Sequence, residues 1–281
     1  MRICKNEITD HIREQFGANP LKIPEQRVQP LCVLEVRKGK QQFLGEFQYL
    51  VKGGFAYNVP VKEEAVARVS DKRSRATEFD IGFDILGGYL KALGVDPVTI
   101  KESIDKSQKL AFTFRNVQRR YLDILRFGQI ISANDVYGDT QNFVLKPALE
   151  DANVTLGLIT DVFVSNNFSL TTLSESESAI EVDVPAIAQA IGQTNASVKV
   201  SPKAKNEIQF EGPDQLTFAF SCLEIMIDPD TGKFSRGEWM QNLRATTGEE
   251  RSLESLKPGE EHLLDHLLID KNTEYPLLIE L

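Results

Sequence analysis

Apolar residues recur every four positions at the start of the chain. Cys4, Ile8, Ile12 and Phe16 share one face of a predicted helix, and Gly17 supplies its stop. The Pro-punctuated stretch 19–30 reads as a loop. Residues 31–37 and 42–51 read as two strands separated by the turn-like KGKQ. Residues 55–85 alternate unevenly around a charged middle, and a short helix is predicted over 85–93, closed by Gly94. KLAFTFRNV alternates cleanly, with Leu110, Phe112 and Phe114 on one side; residues 121–131 fit a helix or a strand equally.

The strongest β pattern is NVTLGLITDVFVSNNFSLTTL. Val154, Leu156, Leu158, Val162 and Val164 recur at spacing two, Thr160 interrupts, and Ser165-Asn166-Asn167 reads as the turn of a hairpin. SESESAIEVDV continues in strand style. PAIAQAIG predicts a short helix with Pro at its start and Gly at its end. SVKVS, EIQF and LTFAFSCLEIMI predict three more strands. After Ile227 the chain turns polar and loses periodicity over 228–261, as a linker does. The leucine pairs Leu263/Leu267 and Leu264/Leu268 then stand at helical spacing in a segment too short to be a stable helix alone, so they need a surface to bind. A domain-closing C-terminal helix on a polar tether fits the same pattern.

Composition sharpens this outline. With 41% hydrophobic and 26% charged residues in a 281-residue chain, there is apolar material for a sizeable core. The net charge of −9 argues against a nucleic-acid partner. Residues 245–281 hold nine acidic and three basic groups, or −6 of that −9, which leaves the body at only −3. No run of 18 apolar residues exists, and the first residues lack the apolar core of a secretory signal, so a cytoplasmic start is expected. The basic group DKRSR at 71–75 suits a solvated hairpin tip, or contact with anionic lipid heads if the protein reaches a membrane.

No catalytic constellation is legible, and a non-enzyme without a metal is expected. GxSxG, the phosphate-binding loop and GxGxxG are absent, and LGGYL and KGGF lack the Lys-Ser/Thr that a phosphate loop requires. His262 and His266 stand at i, i+4 with no further ligand set nearby. DPDTGK begins like a calcium loop, but its Gly comes one position early and no Glu follows at the twelfth, so it reads as a turn. The cysteines Cys4, Cys32 and Cys222 form no CxxC pair. Cys32 and Cys222 lie in apolar runs and read as core residues. Cys4 either anchors a helix end or carries something on its sulfur.

MRICKN with its Cys4, KLAFTFRNV, the long alternating block from Asn153, and FEGPDQLTFAF followed by a short tail occur in an order that resembles the bacterial gasdermins. These are prokaryotic relatives of the pore-forming proteins of pyroptotic cell death. The resemblance implies an α+β fold, with a twisted, mostly antiparallel central β-sheet and flanking helices like a gasdermin N-domain. It also implies a covalent palmitoyl group on Cys4 and no other cofactor. The implied organisation is a pore-forming domain over 1–235, a cleavable linker over 236–257 and an autoinhibitory tail over 258–281.

In this picture the resting protein is a cytoplasmic monomer whose tail, through Leu263, Leu264, Leu267 and Leu268, crosses the sheet and blocks assembly. A caspase-like or trypsin-like protease, activated by phage infection, cuts the linker. Arg236, Arg244, Arg251 and Lys257 suit a trypsin-like enzyme, and Leu243 or Leu256 another preference. Freed protomers then insert hairpins among the phospholipids of the inner membrane and close into a homo-oligomeric ring. Residues 154–164 could supply one spanning strand and 58–96 a second hairpin pair. The competing expectation is a soluble α+β module that binds a small apolar ligand and keeps its tail as a fixed structural element.

Overall fold

The computed structural model describes residues 12–14, 16–37, 40–66 and 73–240. Two long antiparallel strands organise the molecule: β8 (Val154–Leu173, 20 residues) and β10 (Glu207–Ile227, 21 residues). Each carries a row of shorter strands along its outer edge. On the free side of β10 lie β9 (Lys199–Ala204), β1 (Asn19–Glu25) and β11 (Phe234–Met240). Along β8 run β6 (Lys109–Arg115), β7 (Gln118–Leu122) and β2 (Cys32–Arg37). Outermost, β5 (Thr77–Glu78) pairs β6, β4 (Val61–Ala65) pairs β7, and β3 (Lys40–Glu46) pairs β2. Every pairing in this 11-stranded sheet is antiparallel, so the expected α+β architecture with an antiparallel sheet is present.

The long strands explain the largest difference from the sequence pattern. Residues 154–173 are one strand, not a hairpin. The single proton of Ser165 Oγ has two carbonyl acceptors within reach, Arg115 O (2.6 Å) and Asn167 O (2.8 Å), and the same oxygen accepts from Asn167 N (3.0 Å), while Asn166 Nδ2 donates to Gly212 O (3.2 Å). Short polar side chains therefore serve the local backbone while the chain runs on, and the pairing register slips between Leu216–Ser165 and Glu211–Asn167. A second slip brackets Thr160. Each irregularity reverses the alternation. Leu156 and Leu158 thus join one core cluster while Val162 and Val164 join another with Ile159. EGPDQ likewise fails to end a strand; Gly212 and Pro213 sit in the bulge of β10, where no ladder donor is required of Pro.

Other segments differ from expectation for comparable reasons. Residues 19–25 are edge strand β1 rather than loop, paired to β10 with an irregularity between Pro20 and Glu25. Strand 42–51 stops at Glu46 and becomes a 3₁₀ turn at Phe47–Leu50. The helix expected over 85–93 runs Phe79–Ala92, and Gly94 follows at φ 71°. Among the described residues of 58–96, β4 and β5 pair β7 and β6 rather than each other, and Phe79–Ala92 is helix. Residues 121–131 divide: Tyr121 and Leu122 end β7, and helix Ile124–Ala133 begins after Asp123, which caps it by accepting from Arg126 N (3.1 Å). SESESAIEVDV is largely loop, held to β8 where Ala179 bridges Leu173, Ile180 N donates to Thr172 O (3.2 Å) and Thr172 Oγ1 donates to Ile180 O (2.7 Å). Helix Val184–Thr194 matches PAIAQAIG, capped by Asp183.

Three apolar clusters hold the sheet. The largest packs helices Phe79–Ala92, Val98–Ile104 and Val184–Thr194 against Phe112, Phe114, Phe168, Phe210 and Phe218. The end of the N-terminal helix reaches it: Ile12 is buried, and the Phe16 ring meets Phe163 (4.7 Å) and Phe218 (5.5 Å) edge-on. Gly17, at φ 61°, donates to Arg13 O and ends that helix as its position predicts. A second cluster lies under Phe47, Phe127 and Leu145. The third gathers Leu34, Val162, Phe220 and both described cysteines.

Candidate membrane-insertion sheet

Strand β8 contains a single charged residue, Asp161, among its 20 positions. Its carboxylate is nearly buried and is held from three sides. Arg119 of β7 donates Nε to Oδ1 at 2.7 Å and also brings its terminal nitrogen to the same oxygen, while Thr160 donates Oγ1 to Oδ2 at 2.7 Å. Arg119 continues outward to Glu64 of β4 (3.2 Å) and lies over the Tyr121 ring (4.6 Å). Beside it, Arg120 bonds Glu63 (2.8 Å) and Gln215 (2.6 Å), and Gln215 donates to Gln118 (2.7 Å). Lys62 reaches Asp123 (3.1 Å), whose carboxyl is held below its ordinary range by the Arg126 backbone N–H and then by this lysine. Charged side chains therefore tie β4, β7, β8 and β10 together in a zone where the sheet is otherwise held by backbone ladders.

None of Arg119, Asp161 or Glu64 stands out from pattern alone. A lone acid inside an apolar run beside the unread doublet Arg119-Arg120 was the available signal, because a charge in such a run needs a partner.

At the other end of the pair, β11 docks on residues 222–227 of β10, with Met240 opposite Cys222 and Arg236 opposite Ile225. Phe234 packs on the Phe47 ring (5.2 Å), and Asn19 Nδ2 donates to Met240 O (3.1 Å). The start of β1 and the end of β11 thus meet along β10, opposite Phe220 and Cys222. This corrects the expected linker at its beginning: residues 236–240 are strand. The preceding DPDTGK is a turn, as read, with Asp228 Oδ1 accepting from Asp230 N, Thr231 N and Thr231 Oγ1 and Gly232 at φ 74°. Of the cleavage candidates, Arg236 is solvent-exposed on side chain but paired on backbone. Leu243, Arg244, Arg251, Leu256 and Lys257 lie outside the described residues, as do Cys4, the tail leucines Leu263, Leu264, Leu267 and Leu268, and His262 and His266.

Cys32 and Cys222 are buried core residues, as their apolar surroundings predict. Burial pushes both thiols up from their ordinary value, Cys222 more strongly, so neither is poised as a thiolate. Among the described residues no group of His, Cys, Asp and Glu is arranged to hold a metal, and no helix is long and apolar enough to cross a membrane. A surface depression bordered by Glu35, Arg37, Gln42, Leu44 and Val144 is open, and Arg37 pairs with Glu35 there (2.8 Å). Its charged rim does not suit an apolar ligand.

Comparison with known proteins gives three findings. The profile described as the bacterial gasdermin family matches residues 21–233. The chain is 27% identical over 226 residues to the gasdermin bGSDM of Vitiosangium sp. (strain GDMCC 1.1324), covering 80% of this chain and 83% of that protein. It is 26% identical over 230 residues to the gasdermin bGSDM of a Desulfuromonadales bacterium, again covering 80% and 83%. Among solved structures, a bacterial gasdermin from Bradyrhizobium tropiciagri superposes with a TM-score of 0.64 over 83% of this chain and 91% of that one. At 12% sequence identity that likeness concerns the fold alone.

Proposed function

The chain belongs to the bacterial gasdermin family, and from that membership we propose that it is a non-enzymatic pore-forming protein that kills the cell producing it. The observation that carries the reading is the family match over 21–233, which takes in nearly all of the sheet from β1 through β10. The sheet is compatible with it on physical grounds. A strand crossing the hydrocarbon core needs about 9–11 residues. Either half of the 20-residue β8 meets that length. Strands in lipid must satisfy every backbone group, so single protomers cannot insert alone and a closed multi-subunit ring is required.

The resting state in this proposal is a cytoplasmic monomer restrained by residues 258–281, with Leu263, Leu264, Leu267 and Leu268 covering apolar surface. A caspase-like or trypsin-like protease, engaged during phage infection, cuts between Arg236 and Lys257; the ladder of β11 favours bonds beyond Met240. The freed body is less acidic, about −3 once residues 245–281 with their −6 of the net −9 are lost, and it assembles at the inner membrane. A palmitoyl group on Cys4 would stabilise docking without forcing it, because one acyl chain binds membranes only marginally.

Dye release from phospholipid liposomes tests the proposal, using protein with an engineered protease site near Thr247. Release only after cutting supports a tail-gated pore. Sealed liposomes with cut, soluble protein would overturn it and return attention to a module with a structural tail.

A further inference from the structure

Strand β11 is held to the body at its two ends. Phe234 fixes the first end in the cluster under Phe47. At the second end the half-buried Met240 packs into the cluster that contains Cys222, Phe220 and Leu34. Between them the ladder is interrupted at Glu224, whose carboxylate accepts from Glu238 N (3.2 Å). Gly157 makes the seat for Met240. A Cβ at that position would lie 2.8 Å from Met240 Sδ and 2.5 Å from Cys222 Sγ, so the thioether rests directly on bare backbone of β8. Asn19, itself buried, bonds the carbonyl of the same methionine. The chain contains three methionines. Met240 is only partly buried although its sulfur rests on a close-packed seat, whereas Met226 is exposed on the sheet surface.

We propose that Met240 is a redox-sensitive pin: oxidation of its thioether by a peroxide unseats the end of β11 and opens the chain around Arg236 to proteolysis. In the step, the O–O bond of hydrogen peroxide breaks and one oxygen bonds to sulfur, which loses two electrons. The other oxygen leaves as water with both protons. The sulfoxide is larger and strongly polar, and the seat offers it the apolar Phe220, the Cys222 thiol and the Gly157 backbone. Cys222 beside it is fully buried, and burial keeps its thiol protonated, so the oxidant acts first on the thioether. The opening would be a second route to losing the tail; its relevance to killing rests on the proposed function, but the opening itself does not.

The test uses the full chain without any membrane. After graded hydrogen peroxide, peptide mass spectrometry reads the sulfoxide content at Met226 and Met240, and limited trypsin digestion reads the rate of cleavage after Arg236. Cleavage of a transiently opened strand tracks its open population, and the rate should rise about tenfold in proportion to Met240 sulfoxide. Met240→Leu keeps an apolar side chain of similar size and should hold the resting rate with or without peroxide. Met240→Gln, a polar stand-in for the sulfoxide, should be cut fast without oxidant. The proposal is overturned if Met240→Leu accelerates as much as wild type, if Met240 converts with no change in rate, or if Met240 resists peroxide that converts Met226. None of these readouts depends on pore formation, so failure of one idea is distinguishable from failure of the other.

Discussion

The Asp161–Arg119 pair offers the sharpest test of how the sheet is held. The Asp161 side chain is 9% exposed and that of Arg119 is 38% exposed, so the pair is neither a surface bridge nor a sealed one. Breaking a fully buried pair costs about 3–5 kcal/mol, and a surface pair contributes about 0–1 kcal/mol. Asp161→Ala removes the acceptor of Arg119 Nε (2.7 Å) and of Thr160 Oγ1 (2.7 Å), and leaves Arg119 its outer contact with Glu64 (3.2 Å). Solvent and Glu64 compensate the arginine in part, which puts the loss at about 2 kcal/mol. For a chain of this size that lowers Tm by about 4–8 °C, read by circular dichroism or calorimetry. Asp161→Asn keeps the shape and one acceptor and should lose about half as much. The double change Arg119→Met with Asp161→Leu should recover most of the loss, because an apolar pair replaces the desolvated charges. A Tm for Asp161→Ala within about 1 °C of wild type would refute the claim that this pair ties β7 to β8.

Three further outcomes follow, two from the structure and one from the proposed function. Phe218→Ala removes a ring that is 1% exposed and stacked on Phe114 at 4.3 Å. It should cost about 3–5 kcal/mol in urea unfolding and loosen the seat of Phe16. Burial raises the Cys222 thiol above its ordinary 9.0, so above that pH the unfolded chain loses its proton first and stability falls as pH rises. Stability measured from neutral pH upward should flatten in Cys222→Ala; Tyr89→Phe should remove a similar decline at higher pH, because burial raises that phenol too. On the proposed function, Cys4→Ala should weaken killing by the cut protein in cells, with the membrane-bound fraction as readout; undiminished binding and killing would overturn the proposed acylation of Cys4.

Much of the outline was legible because local rules agreed with the fold. Gly17 and Gly94 stop helices at positive φ, as their placement after apolar periodicity foretells. KLAFTFRNV became β6 because its alternation faces a real core. Other segments misled because the deciding partner lies far along the chain. Residues 19–25 look like loop until 217–220 offer an edge to pair with. Residues 234–240 look like linker until β10 provides a ladder and Gly157 a seat for Met240.

By itself the sequence determined the class of the protein: its antiparallel β-rich body, its acidic tail and the order of motifs that marks the family. It also located the irregularities at Thr160 and Ser165–Asn167. Tertiary structure alone decided that those irregularities are bulges within one strand. A Ser-Asn-Asn sequence can satisfy its backbone by turning back or by bonding neighbours on both sides, and the local chain cannot distinguish the two. The carbonyl of Arg115 on one flank and that of Gly212 on the other made the choice. Charge followed the same rule: Asp161 is an anomaly in its own strand and becomes intelligible only when pairing brings Arg119 beside it.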